Sequence, residues 1–192
     1  MEIKLKIDTV NHWAYWDNAF TKEECLKIIE YGNSLSFSDG TVGKKNEQTI
    51  DFTYRESQIS WIHKTENSEW IYDKIGGMLV SLNERFFGFD ISAFDGNLQF
   101  TKYEAPSMFY GKHIDRGLNC NVRKLSFSVQ LTENTDYDGG DLVLHHMDPP
   151  EYMKREIGYM TVFPSYTLHE VTPVTRGTRY SLVGWVSGEP FK

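Results

Sequence analysis

The chain has 192 residues, which at about 150 residues per domain fits a single domain. Hydrophobic residues make up 40% and aromatic residues 15%, enough for a sizeable core and incompatible with global disorder. Lys plus Arg total 20 against 27 Asp plus Glu, a net charge of −7, which argues against a nucleic-acid partner because phosphate binding needs a basic surface. The first eight residues alternate apolar and charged side chains and lack a signal-peptide core. No apolar run approaches the roughly 18 residues of a membrane span. The expectation is therefore a cytoplasmic protein with no membrane partner. Cys25 and Cys120 are too few for a disulfide framework, and neither has a nucleophile's setting.

In chain order, Thr21 and Glu24 fit a capping box, with Phe20 and Cys25 placed as a hydrophobic staple. Cys25, Ile28 and Ile29 follow at helical spacing, and Gly32 reads as a stop. Residues 36–49 are polar and contain glycine, as in a surface loop. The pattern predicts a second helix from Asn67 or Ser68, with Trp70, Ile71, Ile75, Met78, Leu79, Leu82 and Phe86 on its apolar side and Gly88 at its end. Gly76-Gly77 counts against that helix on propensity. From Leu98 the texture changes to strands. Leu125 to Leu131 alternates apolar residues with Ser126, Ser128 and Gln130; Asp138-Gly-Gly-Asp141 reads as a turn; Leu142–Leu144, Tyr159–Phe163 and Arg179–Val186 read as strands. Short strands joined by Gly/Pro turns after a helical first half predict a mainly β, α+β fold. The expected form is a sandwich or jelly roll with N-terminal helices buttressing one face. The helical part covers about 1–95 and the β core about 96–187, in one domain.

The chemistry concentrates in His113-Ile-Asp115, His169 and Arg179. Residues two apart on a strand face the same way, so His113 and Asp115 can offer an imidazole nitrogen and a carboxylate oxygen to one ion. His169 would complete a two-His, one-carboxylate facial triad, a ligand set that leaves coordination positions open on Fe(II). By itself His-x-Asp equally describes a surface ion pair. His145 and His146 are rival ligands only in part, since adjacent strand residues face opposite ways; they read as strand-end residues. His12 and His63 have no ligand-like setting.

Three blocks carry a resemblance. Leu98-Gln-Phe-Thr-Lys-Tyr103 with Phe109-Tyr-Gly-Lys-His-Ile-Asp115, Leu125 to Leu142, and Leu168 to Trp185 occur in the order found in Fe(II)/2-oxoglutarate dioxygenases. The likeness is strongest to the prolyl 4-hydroxylase group, especially its bacterial PKHD-type hydroxylases, and it covers residues 98–187. It implies a double-stranded β-helix, cupin-like, with the metal inside its open end. It implies His113, Asp115 and His169 as iron ligands. Arg179 would pair with the distal carboxylate of 2-oxoglutarate, as a planar guanidinium fork can; Arg176 is the competing candidate. Tyr103 would bind the cosubstrate, or serve as a core aromatic. Gln130 stands at a cosubstrate position where several relatives have Tyr. Tyr110, Trp185 and Arg123 match substrate-binding positions, and each is also an ordinary strand or surface residue type. The implied reaction uses Fe(II), 2-oxoglutarate and O2, with ascorbate as reductant, to hydroxylate a C–H bond while 2-oxoglutarate becomes succinate and CO2. The presence of Asp115 argues against halogenation, since related halogenases lack that carboxylate. A prolyl residue of a peptide or protein is the first substrate expectation. A small molecule such as a free amino acid, or a noncatalytic metal-binding sandwich, are the alternatives. Residues 36–49 and 145–157 are expected walls of the site opening. Oligomeric state is not legible in the sequence, and the ligand set alone does not select Fe(II) over Mn(II) or Zn(II).

Overall fold

The computed structural model describes residues 9–41, 50–115 and 122–190. Cys120, residues 42–49 and the alternating N-terminal residues lie outside the described residues. The elements run β1 (Ala14–Trp16), α1 (Lys22–Ser34), β2 (Ser38–Asp39), β3 (Arg55–Glu56), β4 (Gln58–Ile62), α2 (Glu69–Leu82), β5 (Ala93–Phe94), β6 (Leu98–Glu104) and β7 (Phe109–His113). They continue with β8 (Arg123–Gln130), β9 (Tyr137–Gly139), β10 (Leu142–Leu144), β11 (Glu151–Tyr152), β12 (Met160–Pro164), β13 (His169–Val171) and β14 (Val174–Ser187).

The strands form two antiparallel sheets. The larger follows the order β1-β12-β8-β14-β6-β4-β2, with β5 and β9 also pairing with β14. The smaller follows β11-β10-β13-β7-β3. Both helices pack on the larger sheet. Cys25 and Ile28 from α1, and Ile71, Ile75, Met78, Leu79 and Leu82 from α2, share one buried cluster with Phe100, Phe127, Val129, Val162 and Leu182. This is the jelly roll with buttressing helices that the pattern of elements predicts.

The capping box forms as the sequence indicates. Thr21 Oγ1 accepts the Glu24 amide, and Glu24 Oε2 accepts the Thr21 amide at 2.7 Å. Glu24 also pairs with Lys74, tying α1 to α2. Gly32 is not the stop, however. The helix runs on to Ser34, and a Cβ at Gly32 would stand 2.5 Å from the Phe100 ring, so this glycine permits close helix–sheet approach. The second helix starts after Ser68 and passes through Gly76-Gly77, because its apolar face outweighs the propensity cost. It then widens into a π-helical turn over Asn83–Phe87 before Gly88. An added Cβ at the exposed Gly77 meets nothing within 4 Å. Gly77→Ala is therefore expected to stabilise the protein by up to about 1 kcal/mol, read as a rise of roughly 2–4 °C in Tm.

The polar loop at 36–49 includes a short strand, Ser38–Asp39, that edges the larger sheet. The last strand starts at Val174, ahead of the expected Arg179. Its first residues pair with β9 before it crosses to the centre of the larger sheet between β6 and β8. Both faces of β8 are buried. Leu125, Phe127 and Val129 enter the helix-backed core, while the buried Ser126, Ser128 and Gln130 alternate with them on the opposite face, which carries the site.

Candidate metal centre and cosubstrate pocket

The smaller sheet brings the histidines together. His113 ends β7 and lies directly across from His169 at the start of β13, with ring centroids 4.1 Å apart. Asp115 does not share a strand with His113 as the two-residue spacing suggests, since β7 stops at His113. It still reaches the same point. Its amide donates to the Ser165 carbonyl, and its Oδ2 accepts from Ser126 Oγ at 2.7 Å. The Ser126 oxygen lies 2.9 Å from Ser165 Oγ. The donor atoms of His113, Asp115 and His169 all lie within 4.8 Å of one another, and no other group of three metal-ligating residues forms among the described residues.

Each imidazole is oriented by its own strand. His113 Nδ1 donates to the Gly111 carbonyl at 2.7 Å and His169 Nδ1 to the Thr167 carbonyl at 2.9 Å. A proton on each Nδ1 leaves both Nε2 lone pairs facing Asp115, at 3.6 Å in each case. Burial, and then the neighbouring His169, push the His113 pKa down to about 3, so the imidazole is neutral and available as a ligand. Burial alone would raise the Asp115 pKa. Attraction to the protonated forms of His169 and His113, and the Ser126 hydrogen bond, outweigh it and hold the carboxyl below its ordinary value. The Trp185 indole N–H acts on the same carboxylate without closing a hydrogen bond. Two imidazole nitrogens and one carboxylate oxygen, converging and desolvated, suit a divalent transition metal.

Arg179 lies on β14 opposite Tyr103 of β6 and is only 1% exposed. Its Nε donates to Gln130 Oε1 at 3.1 Å and its Nη1 to Ser181 Oγ at 3.4 Å. The guanidinium carbon stands 5.5 Å from the Tyr103 ring centre. Gly140, in the left-handed region at φ +64°, makes room: a Cβ there would be 3.0 Å from Arg179 Cδ. Arg179 has no carboxylate partner among the described residues, and its Nη2 is buried and unpartnered. A buried guanidinium with a free N–H fits an incoming carboxylate. Arg176 instead lies on the exposed part of β14, paired with Asp138, and is a surface charge.

The remaining sequence candidates divide. Tyr110 stacks on His113 with ring centroids 3.6 Å apart. Trp185 is buried beside Asp115, and the Arg123 guanidinium lies 4.0 Å over its ring while also pairing with Asp95. Gln130 orients Arg179. His145 pairs with Glu170 at 2.8 Å, whereas His146 faces Glu151 and stacks on His12, so neither joins the cluster. Burial pushes the Cys25 thiol up to about 12, as befits an inert core residue. Sequence reading missed Ser126, Ser165 and Arg55. The polar side chains alternating along 126–130 were the available signal for Ser126. Nothing local marks the other two.

The model of the 2OG-Fe(II) oxygenase superfamily matches residues 98–187, the segment that contains every residue of the centre. A PKHD-type hydroxylase of Prochlorococcus marinus (strain MIT 9301) is 39% identical over 186 residues, which cover 96% of this chain and 71% of that protein. Another, from Gloeothece citriformis, is 45% identical over 93 residues, 47% of this chain and 42% of that one. The chain thus belongs to the PKHD-type hydroxylase family. Its matches to the first of these relatives span only about two-fifths of their length, 40–42%. Two solved structures share the fold. A Pseudomonas putida prolyl-4-hydroxylase superposes with a TM-score of 0.73 at 22% identity, over 93% of this chain and 94% of that one. A Trichoplax adhaerens prolyl hydroxylase, solved with a hypoxia-inducible-factor peptide fragment, superposes with a TM-score of 0.77 at 20% identity, over 93% and 84%.

Proposed function

We propose that the protein is an Fe(II)- and 2-oxoglutarate-dependent dioxygenase that hydroxylates a prolyl residue of a peptide or protein, working as a single domain. The observation that carries this reading is the free N–H of buried Arg179, which bonds Gln130 on the same face of β8 whose Ser126 bonds Asp115 of the His113–Asp115–His169 cluster. A metal site alone fits many proteins; a metal site with a waiting carboxylate receptor fits a dicarboxylate cosubstrate.

When bound, Fe(II), 2-oxoglutarate and O2 supply the oxidising chemistry: 2-oxoglutarate becomes succinate and CO2, and one oxygen atom enters a C–H bond. The protein's residues hold and exclude. His113, Asp115 and His169 would hold the metal. The Gly111 and Thr167 carbonyls fix the imidazole protons, and Ser126 fixes the carboxylate. Arg179, steered by Gln130 and Ser181 over Tyr103, would take the distal carboxylate of 2-oxoglutarate. Tyr110, Arg123 and Trp185 would flank the substrate, the Tyr110 and Trp185 rings keeping water from the reacting carbon. Ascorbate would serve as an external reductant. The peptide preference draws on the prolyl hydroxylase likeness, including one relative in fold solved with a peptide. No helix among the described residues is long and apolar enough to cross a membrane. A cytoplasmic setting agrees with that.

The test is O2 consumption and succinate formation with Fe(II) and 2-oxoglutarate, with and without proline-containing peptides, followed by mass spectrometry. Peptide-stimulated turnover with one added oxygen on proline is expected. Stimulation by free amino acids alone would transfer the assignment to small molecules, and no 2-oxoglutarate turnover under any condition would overturn it.

A further inference from the structure

A second buried guanidinium flanks the same mouth. Arg55, on edge strand β3, pairs in register with Tyr110 of β7 and is 5% exposed. Its guanidinium carbon lies 4.4 Å from the centre of the Tyr110 ring, which also stacks on His113 and meets the Tyr54 ring edge-on. Nε donates to Ser57 Oγ at 2.8 Å, and Nη1 donates to the Thr41 carbonyl at 3.1 Å. Nη2 is buried and has no partner, and no carboxylate pairs with this residue among the described residues. Arg55 thus packs against the ring that itself stacks on the candidate ligand His113.

Burying a guanidinium without a counter-ion is costly, and a hydroxyl and a carbonyl offer only dipoles against a full charge. For the cosubstrate's distal carboxylate, Arg179 already offers a buried, unpartnered N–H. The chain's net charge of −7 gives no general attraction for acids, so any selection of an acidic substrate must come from a local cation of this kind.

We infer that Arg55 is a specificity residue that receives a carboxylate of the substrate beside the oxidised position. This rests on the reading of the protein as a hydroxylase and narrows its substrates to those bearing an acid next to the target carbon. Three sources share that chemistry: an acidic side chain neighbouring proline, the C-terminal carboxylate of a short peptide, or the carboxylate of free proline.

The experiment measures KM and kcat, and binding by calorimetry to the protein loaded with Fe(II) and 2-oxoglutarate under anaerobic conditions, for three matched pairs. One pair is acetylated, amidated Ala-Xaa-Pro-Xaa-Ala with Xaa as Glu or Gln. The second is the Gln peptide with a free or an amidated C-terminus. The third is free proline and prolinamide. In the wild type, at least one carboxylate member is expected to bind about tenfold tighter than its amide, and that pair identifies the source. The ratio should fall to near one in Arg55→Gln. Loss of packing under Tyr110 would weaken both members of a pair alike, so the ratio reports the charge. Ser57→Asp keeps the guanidinium but hands it an internal counter-ion, and should erase the same preference. A ratio near one for every pair in the wild type, or a preference that survives Arg55→Gln, overturns the inference, as does failure of every carboxylate probe to bind. Weakened 2-oxoglutarate binding in Arg55→Gln, with no change in the pair ratio, would assign the residue to the cosubstrate and overturn it too. Hydroxylation of neutral peptides without preference would leave the hydroxylase reading standing and remove Arg55 from it. Carboxylate-selective binding without hydroxylation would do the reverse.

Discussion

Replacing Arg179 by alanine is expected to raise the 2-oxoglutarate requirement by roughly thirty- to several-thousand-fold while the metal still binds. The figure follows from the 2–5 kcal/mol typically lost when one partner of a buried charge pair is removed, at about 1.4 kcal/mol per tenfold. The geometry favours a large effect. Arg179 is 1% exposed, Gln130 and Ser181 hold two of its nitrogens, and the third is unpartnered. Water replacing the guanidinium would offer no charge and no planar fork. Lysine should rescue poorly, since a point charge cannot keep the Gln130 contact and meet a carboxylate with two parallel bonds. Anaerobic titration with Fe(II), following the visible band that 2-oxoglutarate gives on metal binding, checks this directly. An unchanged half-saturation point would remove Arg179 from the cosubstrate site.

The second large effect concerns the metal. His113→Ala, Asp115→Ala and His169→Ala should each abolish metal-dependent turnover and weaken Fe(II) binding severely, with near-native circular dichroism. The fold should survive because these side chains stand in the mouth, outside the helix-backed cluster. Asp115→Glu should also fail, because the carboxylate is clamped by Ser126 and by its own amide on Ser165, and one methylene displaces it from both imidazoles. Ser126→Ala should cost about 10–100-fold in metal affinity, the usual effect of losing a group that orients a ligand. Equilibrium dialysis against Fe(II), or Mn(II) as an air-stable probe, distinguishes these outcomes. Full metal binding by His169→Ala would sink the ligand assignment.

These two sites differ in how far the sequence announced them. The helices were legible because local signals agree with packing: Thr21 and Glu24 cap α1, and the spacing from Ile71 to Leu82 survives a Gly-Gly pair. Gly32 misled because a helical glycine can serve a neighbour's ring as well as a chain stop, and only Phe100, far off in sequence, decides which. Asp115 reached the expected point by an unexpected route. The spacing argument assumed a continuing strand, whereas Asp115 is held from outside, its carboxylate by Ser126 on β8 and its amide by the Ser165 carbonyl before β13. Arg55 was invisible for a related reason. Its interest lies in the counter-ion it lacks among the described residues, and such a lack is a property of three-dimensional surroundings. Arg179 and Arg176 were separable only in part from sequence; burial of one and exposure of the other completes the choice.

The long strand β14 has a consequence for how the molecule is made. It lies at the centre of the larger sheet, between β6 and β8, yet follows both of them in the chain order. Its inward side carries Arg179, Ser181 and Trp185, while Leu182 and Val186 enter the main core. During synthesis from the N-terminus, β6 and β8 therefore emerge with no strand to separate them, and must be kept from pairing with each other or with a neighbouring chain until about residue 187 has left the ribosome. Closure of the sheet and assembly of the cosubstrate grip then become one event. Before β14 inserts, the face that β6 and β8 offer lacks both Arg179 and Ser181.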